Sequence, residues 1–120
     1  MRIVQLIDSL EAGGAERMAV SYANALSKSI EFSGLISTRN EGALKEQLAQ
    51  NVNYLFLAKK SNLDAKAFLK FRRFIIKNKV QIIHAHSSSF FWATLLKISY
   101  PTIKIIWHDH FGNRINHVDK

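Results

Sequence analysis

Two short segments concentrate the side chains best suited to chemistry. His84-Ala85-His86-Ser87-Ser88-Ser89 and His108-Asp109-His110-Phe111-Gly112-Asn113-Arg114 hold four of the five histidines. Neutral imidazole can donate or accept a hydrogen bond to a hydroxylated ligand near physiological pH, and it also ligates transition metals. His84 and His86 sit at alternate positions, so on a strand they point the same way. A third segment, Asp8-Ser9-Leu10-Glu11-Ala12-Gly13-Gly14-Ala15-Glu16-Arg17, places two glycines before a helical pattern. Glycine there either makes a tight turn with positive φ or lets an anion approach the backbone N–H groups of a helix start.

Each feature has a plainer reading beside it. His84 or His86 can be a packed histidine bonded to a neighbouring carbonyl, and Glu16 and Arg17 can be ordinary first-turn residues, one favoured by the helix dipole and the other solvated. The two His-x-His pairs with Asp109 satisfy Zn²⁺ chemically, yet no HExxH helix or CxxC partner accompanies them. Neither GxGxxG nor GxxxxGK[ST] occurs, so a dinucleotide-binding unit and a P-loop NTPase lose their main sequence support.

These segments need elements to hold them. Ile3 to Ile7 is a short, nearly continuous apolar run ended by Asp8-Ser9, which suits a strand buried on both faces. Similar runs predict strands at Phe32 to Ser37, Val52 to Leu57, Gln81 to Ala85 and Lys104 to Trp107. Between them lie helical patterns. After Gly14, the residues Ala15, Met18, Ala19, Tyr22, Ala23 and Leu26 form one apolar stripe. Further helices are expected over about Gly42 to Ala49, over about Leu63 to Lys77 with Asp64 in the first turn, and from the Ser87-Ser88-Ser89 cluster, where a hydroxyl can cap, to just before Pro101. Strict β-α alternation with short connections predicts right-handed crossovers into a doubly wound α/β fold, a parallel sheet of about five strands with helices on both faces. In such sheets ligands bind outside the carboxyl ends of the strands. All three chemistry-bearing segments fall on that edge.

Composition sets the bounds. The chain has 120 residues, 48% hydrophobic, with no Cys and a formal charge of +8. That is enough for one core, it excludes a disulfide framework and thiolate metal sites, and the apolar fraction excludes wholesale disorder. No stretch approaches the ~20 apolar residues of a membrane span, so a soluble, intracellular protein is expected. Lys66, Lys70, Arg73 and Lys77 fall in a narrow arc of the third helix, opposite its Phe-bearing face. The arc is either a solvated outer face or a surface for anionic headgroups; no recognition motif favours nucleic acid.

The segment Ile3 to Leu26, with Gly13-Gly14 at its centre, resembles the opening of retaining glycosyltransferase family 4, whose enzymes set two Rossmann-like domains across a cleft in the GT-B architecture. Ile82-Ile83-His84-Ala85-His86-Ser87 is similar to that family's fourth-strand exit, and Ile105-Ile106-Trp107-His108-Asp109-His110 to its fifth-strand exit. The three segments occur in the family's order along the chain.

The resemblance implies a partial N-terminal, acceptor-side Rossmann-like domain over residues 1–120. It implies transfer of a sugar from a nucleotide-sugar co-substrate to a glycan or lipid-linked acceptor, in cell-surface polysaccharide or glycolipid synthesis, with no other cofactor and no metal. By the same resemblance, His108 contacts the donor sugar as the catalytic residue. Gly13 and Gly14 approach the donor diphosphate, and His86, Ser87, Asp109 and Arg17 line the acceptor side. The family's Glu-x7-Glu segment and basic phosphate ligands belong to a C-terminal nucleotide-sugar domain absent from this sequence. The chain is therefore expected to be a portion of a longer enzyme and inactive alone. A cytoplasmic location is expected, with peripheral contact at an anionic inner membrane face through Lys66, Lys70, Arg73 and Lys77. The alternative is a stand-alone α/β binding or metal-dependent hydrolase module using the His84, His86 and His108 edge. A third reading is a partner-binding subunit completed by a second chain.

Overall fold

A computed structural model describes residues 1–108 together with the strand Val118–Asp119. The elements run β1 (Arg2–Ser9), α1 (Gly14–Leu26), β2 (Phe32–Asn40), β3 (Asn53–Phe56), α2 (Ala65–Lys77), β4 (Ile82–His86), α3 (Phe90–Ser99), β5 (Lys104–His108) and β6 (Val118–Asp119). They build one sheet in the order β3-β2-β1-β4-β5-β6. The first five strands pair in parallel and β6 pairs antiparallel with β5. The short β6 was not foreseen: its two residues carry too little pattern to announce a strand.

Alternation along the strands separates two cores. Val4, Leu6, Ile36, Ile83 and Ile105 point to the face covered by α2 and α3, where Phe71, Ile75, Trp92 and Leu96 meet them. The Phe71 and Trp92 rings stack with centroids 5.8 Å apart, and Phe68 closes edge-on against Trp92 at 5.5 Å. Ile7 and Leu35 point the other way, toward Ala19, Val20 and Ala23 of α1. Helices thus cover both faces, as parallel strands require.

Three local expectations are corrected. The segment expected as a helix from Gly42 to Ala49 is a single 3₁₀ turn, Ala43–Gln47. Its buried anchor is Leu44, whose N–H donates to the Leu10 carbonyl rather than within a helix. No serine hydroxyl caps the last helix. Ser87–Ser89 forms a 3₁₀ turn ahead of α3, and the Ser89 hydroxyl instead accepts from the His86 N–H and reaches the Leu6 carbonyl at 2.8 Å. Asp64 stands one step earlier than expected. It is the N-cap of α2, accepting from the N–H groups of Ala67 and Lys60, and those bonds hold its carboxyl below the usual range.

Lys66, Lys70, Arg73 and Lys77 are all exposed on α2, opposite the buried Ala67, Phe71 and Ile75. None of the described helices is long and apolar enough to cross a membrane.

Candidate functional site

Strand order reverses between β1 and β4, since β1 runs on to β2 on one side while β4 opens the other half. A crevice forms at the carboxyl ends there because the two crossovers leave in opposite directions. In this chain it is a cavity of about 180 Å³ lined by Ile7, Asp8, Ser9, Ala15, Glu16, Arg39, His86, Ser87 and Ser88.

Helix α1 contributes its N-terminus. Gly13 is the N-cap and offers no side chain to satisfy the first N–H groups, and the first intrahelical bond runs from the Arg17 N–H to the Gly13 carbonyl at 3.0 Å. The turn reading of Gly13-Gly14 is not upheld. Gly13 has φ −173°, which is extended backbone, and Gly14 is the first helical residue. A Cβ at Gly14 would meet nothing within 4 Å, so neither packing nor dihedral angle requires glycine at that position. The left-handed conformation falls instead on Ser87, with φ 54°. This tight exit from β4 is fastened by the Trp107 indole N–H, which donates to the Ser87 carbonyl at 3.0 Å.

Asp8, at the end of β1, organises the floor. It accepts from the Thr38 hydroxyl at 2.5 Å and from Ser88, and it faces Arg39 at 3.5 Å and Lys59 at 3.9 Å. Lys59 is almost completely buried. Its ammonium stands 4.5 Å above the Trp92 ring centre and donates to Asn62 at 2.7 Å. Burial pushes the Lys59 ammonium below its ordinary pKa; Asp8 opposes that shift and Arg39 adds to it.

The histidines meet on the sheet face shared with α1. His86 pairs with His108 across β4 and β5, and Gln5 of β1 pairs with His84. Ring centroids are 4.2 Å apart for His84 and His86, 5.7 Å for His84 and His108, and 6.0 Å for His86 and His108. One ligating atom from each of the three lies within 4.8 Å of the others. His86 is wholly buried, with its Nε2 2.7 Å from Gln5 Oε1, while His84 and His108 are partly exposed. Tyr22 of α1 approaches His84 and His86 with centroids at 5.0 and 6.1 Å.

Among the expected site residues, Ser87 and His86 line the cavity and Gly13 opens the helix beside it. Arg17 is exposed on α1 and is not among the cavity's lining residues. Asp109 lies outside the described residues. The charge cluster of Asp8 with Arg39 and Lys59, whose first two members line the cavity, was missed. Only the position of Asp8 at a strand end could have pointed to it, because its partners come from β2 and the β3–α2 loop.

A sequence model described as Glycosyltransferase Family 4 matches residues 12–119. No curated protein matches the chain.

Proposed function

The chain belongs to Glycosyltransferase Family 4, as the N-terminal-domain portion, and from that membership we propose that its crevice is the acceptor-side wall of a retaining nucleotide-sugar transferase. The observation that carries the reading is the cavity at the β1–β4 switch point, where a helix N-terminus without a side-chain cap, Arg39 and hydroxyl side chains converge beside the carboxylates of Asp8 and Glu16. Unpaired N–H groups at such a terminus favour negative charge, which suits a diphosphate leaving group.

In this reading the bond between the sugar's anomeric carbon and the nucleoside diphosphate breaks. The acceptor hydroxyl oxygen forms the new bond on the same face, and its proton passes to the departing phosphate oxygen. Gly13 and Gly14 let the diphosphate approach the start of α1. His108 hydrogen-bonds the transferred sugar, and Ser87 with the His86 segment shapes the acceptor side. A second Rossmann-like half holds the nucleotide, so the 120 residues do not turn over donor by themselves.

The acceptor is a glycan or a lipid-linked glycan. Support for the lipid comes from α2, where Leu69 is 58% exposed and Ile76 37% exposed beside the exposed Lys66, Lys70, Arg73 and Lys77. Apolar side chains among cations suit the headgroup boundary of an anionic membrane. Such contact places the enzyme peripherally on a cytoplasmic membrane face.

The test is transfer of labelled sugar by the full-length enzyme. His108→Ala is expected to lower turnover by about 100-fold or more while thermal unfolding stays unchanged. Transfer within a few-fold of wild type would remove His108 from the reaction.

A further inference from the structure

The residues that leave β3 turn a charged side chain inward. Leu57 is buried, Ala58 takes a left-handed φ of 53°, and Lys59 is buried again, its N–H donating to the Thr38 carbonyl at 2.8 Å. Alanine rarely adopts that φ, and an ammonium resists removal from water in a way that an apolar chain of similar length would not. Together the turn and the burial aim Nζ at Asp8 Oδ1, 3.9 Å away, with the Trp92 ring beneath and Asn62 accepting at 2.7 Å.

The two oxygens of Asp8 face different surroundings. Oδ1 meets Thr38 and Lys59, which are both buried, whereas Oδ2 meets Ser88 and Arg39, which line the crevice with Asp8 itself. A carboxylate offers about four acceptor positions, and the hydroxyls of Thr38 and Ser88 take one on each oxygen. Arg39 at 3.5 Å and Lys59 at 3.9 Å stand farther off than hydrogen-bond length. They balance the charge and leave Oδ2 able to accept from a ligand.

We propose that Asp8 Oδ2 accepts a hydroxyl of one uncharged sugar ring at the end of the acceptor, and that Lys59 is the positioning residue that holds the carboxylate in that direction. In the transfer reading, on which this inference rests, the diphosphate belongs at the start of α1, so the end of β1 is left for the acceptor. A carboxylate there takes hydroxyl hydrogens and repels a phosphate or a second carboxylate. The cavity of about 180 Å³ is smaller than sites that enclose drug-sized ligands and suits a single ring.

The test is transfer from labelled UDP- and GDP-hexoses by the full-length enzyme. Methyl hexosides and a polyprenyl-diphosphate-linked hexose supply uncharged ends; hexose 6-phosphates and methyl hexuronides supply charged ones. The uncharged ends should be preferred. Lys59→Met should raise the KM for the preferred acceptor about 10-fold and leave the donor KM within about 2-fold. A purely structural loss would instead lower the active fraction and leave the acceptor KM unchanged. Asp8→Asn, which removes a charge-assisted hydrogen bond, should raise the same KM by about 10-fold or more. The Lys59→Met/Asp8→Asn double variant should match Asp8→Asn within about 2-fold, because a residue that acts through Asp8 then has nothing to act on. Asp8→Asn leaves the buried ammonium without its carboxylate; should that variant fail to fold, Lys59→Met decides by itself, since an apolar chain replaces its buried ion. An unchanged acceptor KM in Lys59→Met, an equal rise for donor and acceptor, multiplicative losses in the double variant, or transfer confined to charged ends would each overturn the proposal and leave the transfer reading intact. Absence of labelled product from wild type with every donor and acceptor would overturn both.

Discussion

Gln5 Oε1 lies 2.7 Å from His86 Nε2, joining two wholly buried polar side chains from adjacent strands, 81 residues apart in the chain. The amide's own Nε2 has no hydrogen-bond partner among the described residues. The pair therefore holds the imidazole in place while leaving both amide N–H donors unspent, and the strand exit that carries Ser87 begins from this anchored ring.

Replacing Gln5 with Leu removes the anchor but keeps the volume apolar. A buried imidazole nitrogen left without its partner costs about 1–3 kcal/mol. Urea denaturation should show a lower midpoint with an unchanged slope.

Glycines 14 and 42 should respond in opposite ways. A Cβ at Gly42 would lie 2.5 Å from the Leu10 carbonyl oxygen and 2.5 Å from the Glu11 nitrogen, both backbone atoms that cannot swing aside. Gly42→Ala should lose about 1–3 kcal/mol of stability. At Gly14 the space is open, so Gly14→Ala should leave thermal unfolding almost unchanged. In the full-length enzyme the same substitution should still depress sugar transfer, because the added methyl group occupies the approach to the helix start. Transfer at the wild-type rate would return Gly14 to a purely local role.

Lys59 links stability to pH. Its folded-state pKa lies below the ordinary 10.5, chiefly because burial disfavours the ammonium. Below that lowered value both states carry the proton and the cost of burying the charge is fully present. Between it and 10.5 the unfolded chain binds more proton, so stability rises with pH. The difference in unfolding free energy between wild type and Lys59→Met should therefore grow in favour of wild type as pH climbs toward 10.5. A difference independent of pH across that window would mean that the buried ammonium is not shifted.

Cosedimentation with vesicles tests the exposed arc of α2. The full-length enzyme should bind vesicles rich in anionic lipid and not neutral ones, losing about 1 kcal/mol for each cation removed from the surface. Changing Lys66, Lys70, Arg73 and Lys77 together to Gln should abolish the preference. Leu69→Ser should weaken what remains at high salt, where screening leaves the apolar contribution. Equal binding to neutral vesicles would place the acceptor elsewhere.

The alternation of strands and helices was legible because each element announces itself over a few neighbouring residues. The Ile3 to Ile7 run and the stripe from Ala15 to Leu26 are local patterns, and the parallel order with right-handed crossovers follows from them. The edge that gathers the candidate side chains was legible for the same reason, since strand ends are known once strands are. The 3₁₀ turn at Ala43–Gln47 was not, because the Leu10 carbonyl that captures the Leu44 N–H lies 34 residues earlier in the chain.

The sequence alone thus determined the α/β class and the strand-end edge on which the candidates His108, Gly13 and Gly14 were placed. Only the tertiary structure decided that at this edge positive φ belongs to Ser87 rather than to Gly13 or Gly14, that Asp8 faces both Arg39 and Lys59, and that His84, His86 and His108 converge. The reason is physical. Hydrophobic period is written into consecutive residues, whereas a polar side chain takes its partner from strand register and from crossovers that no short window of sequence contains.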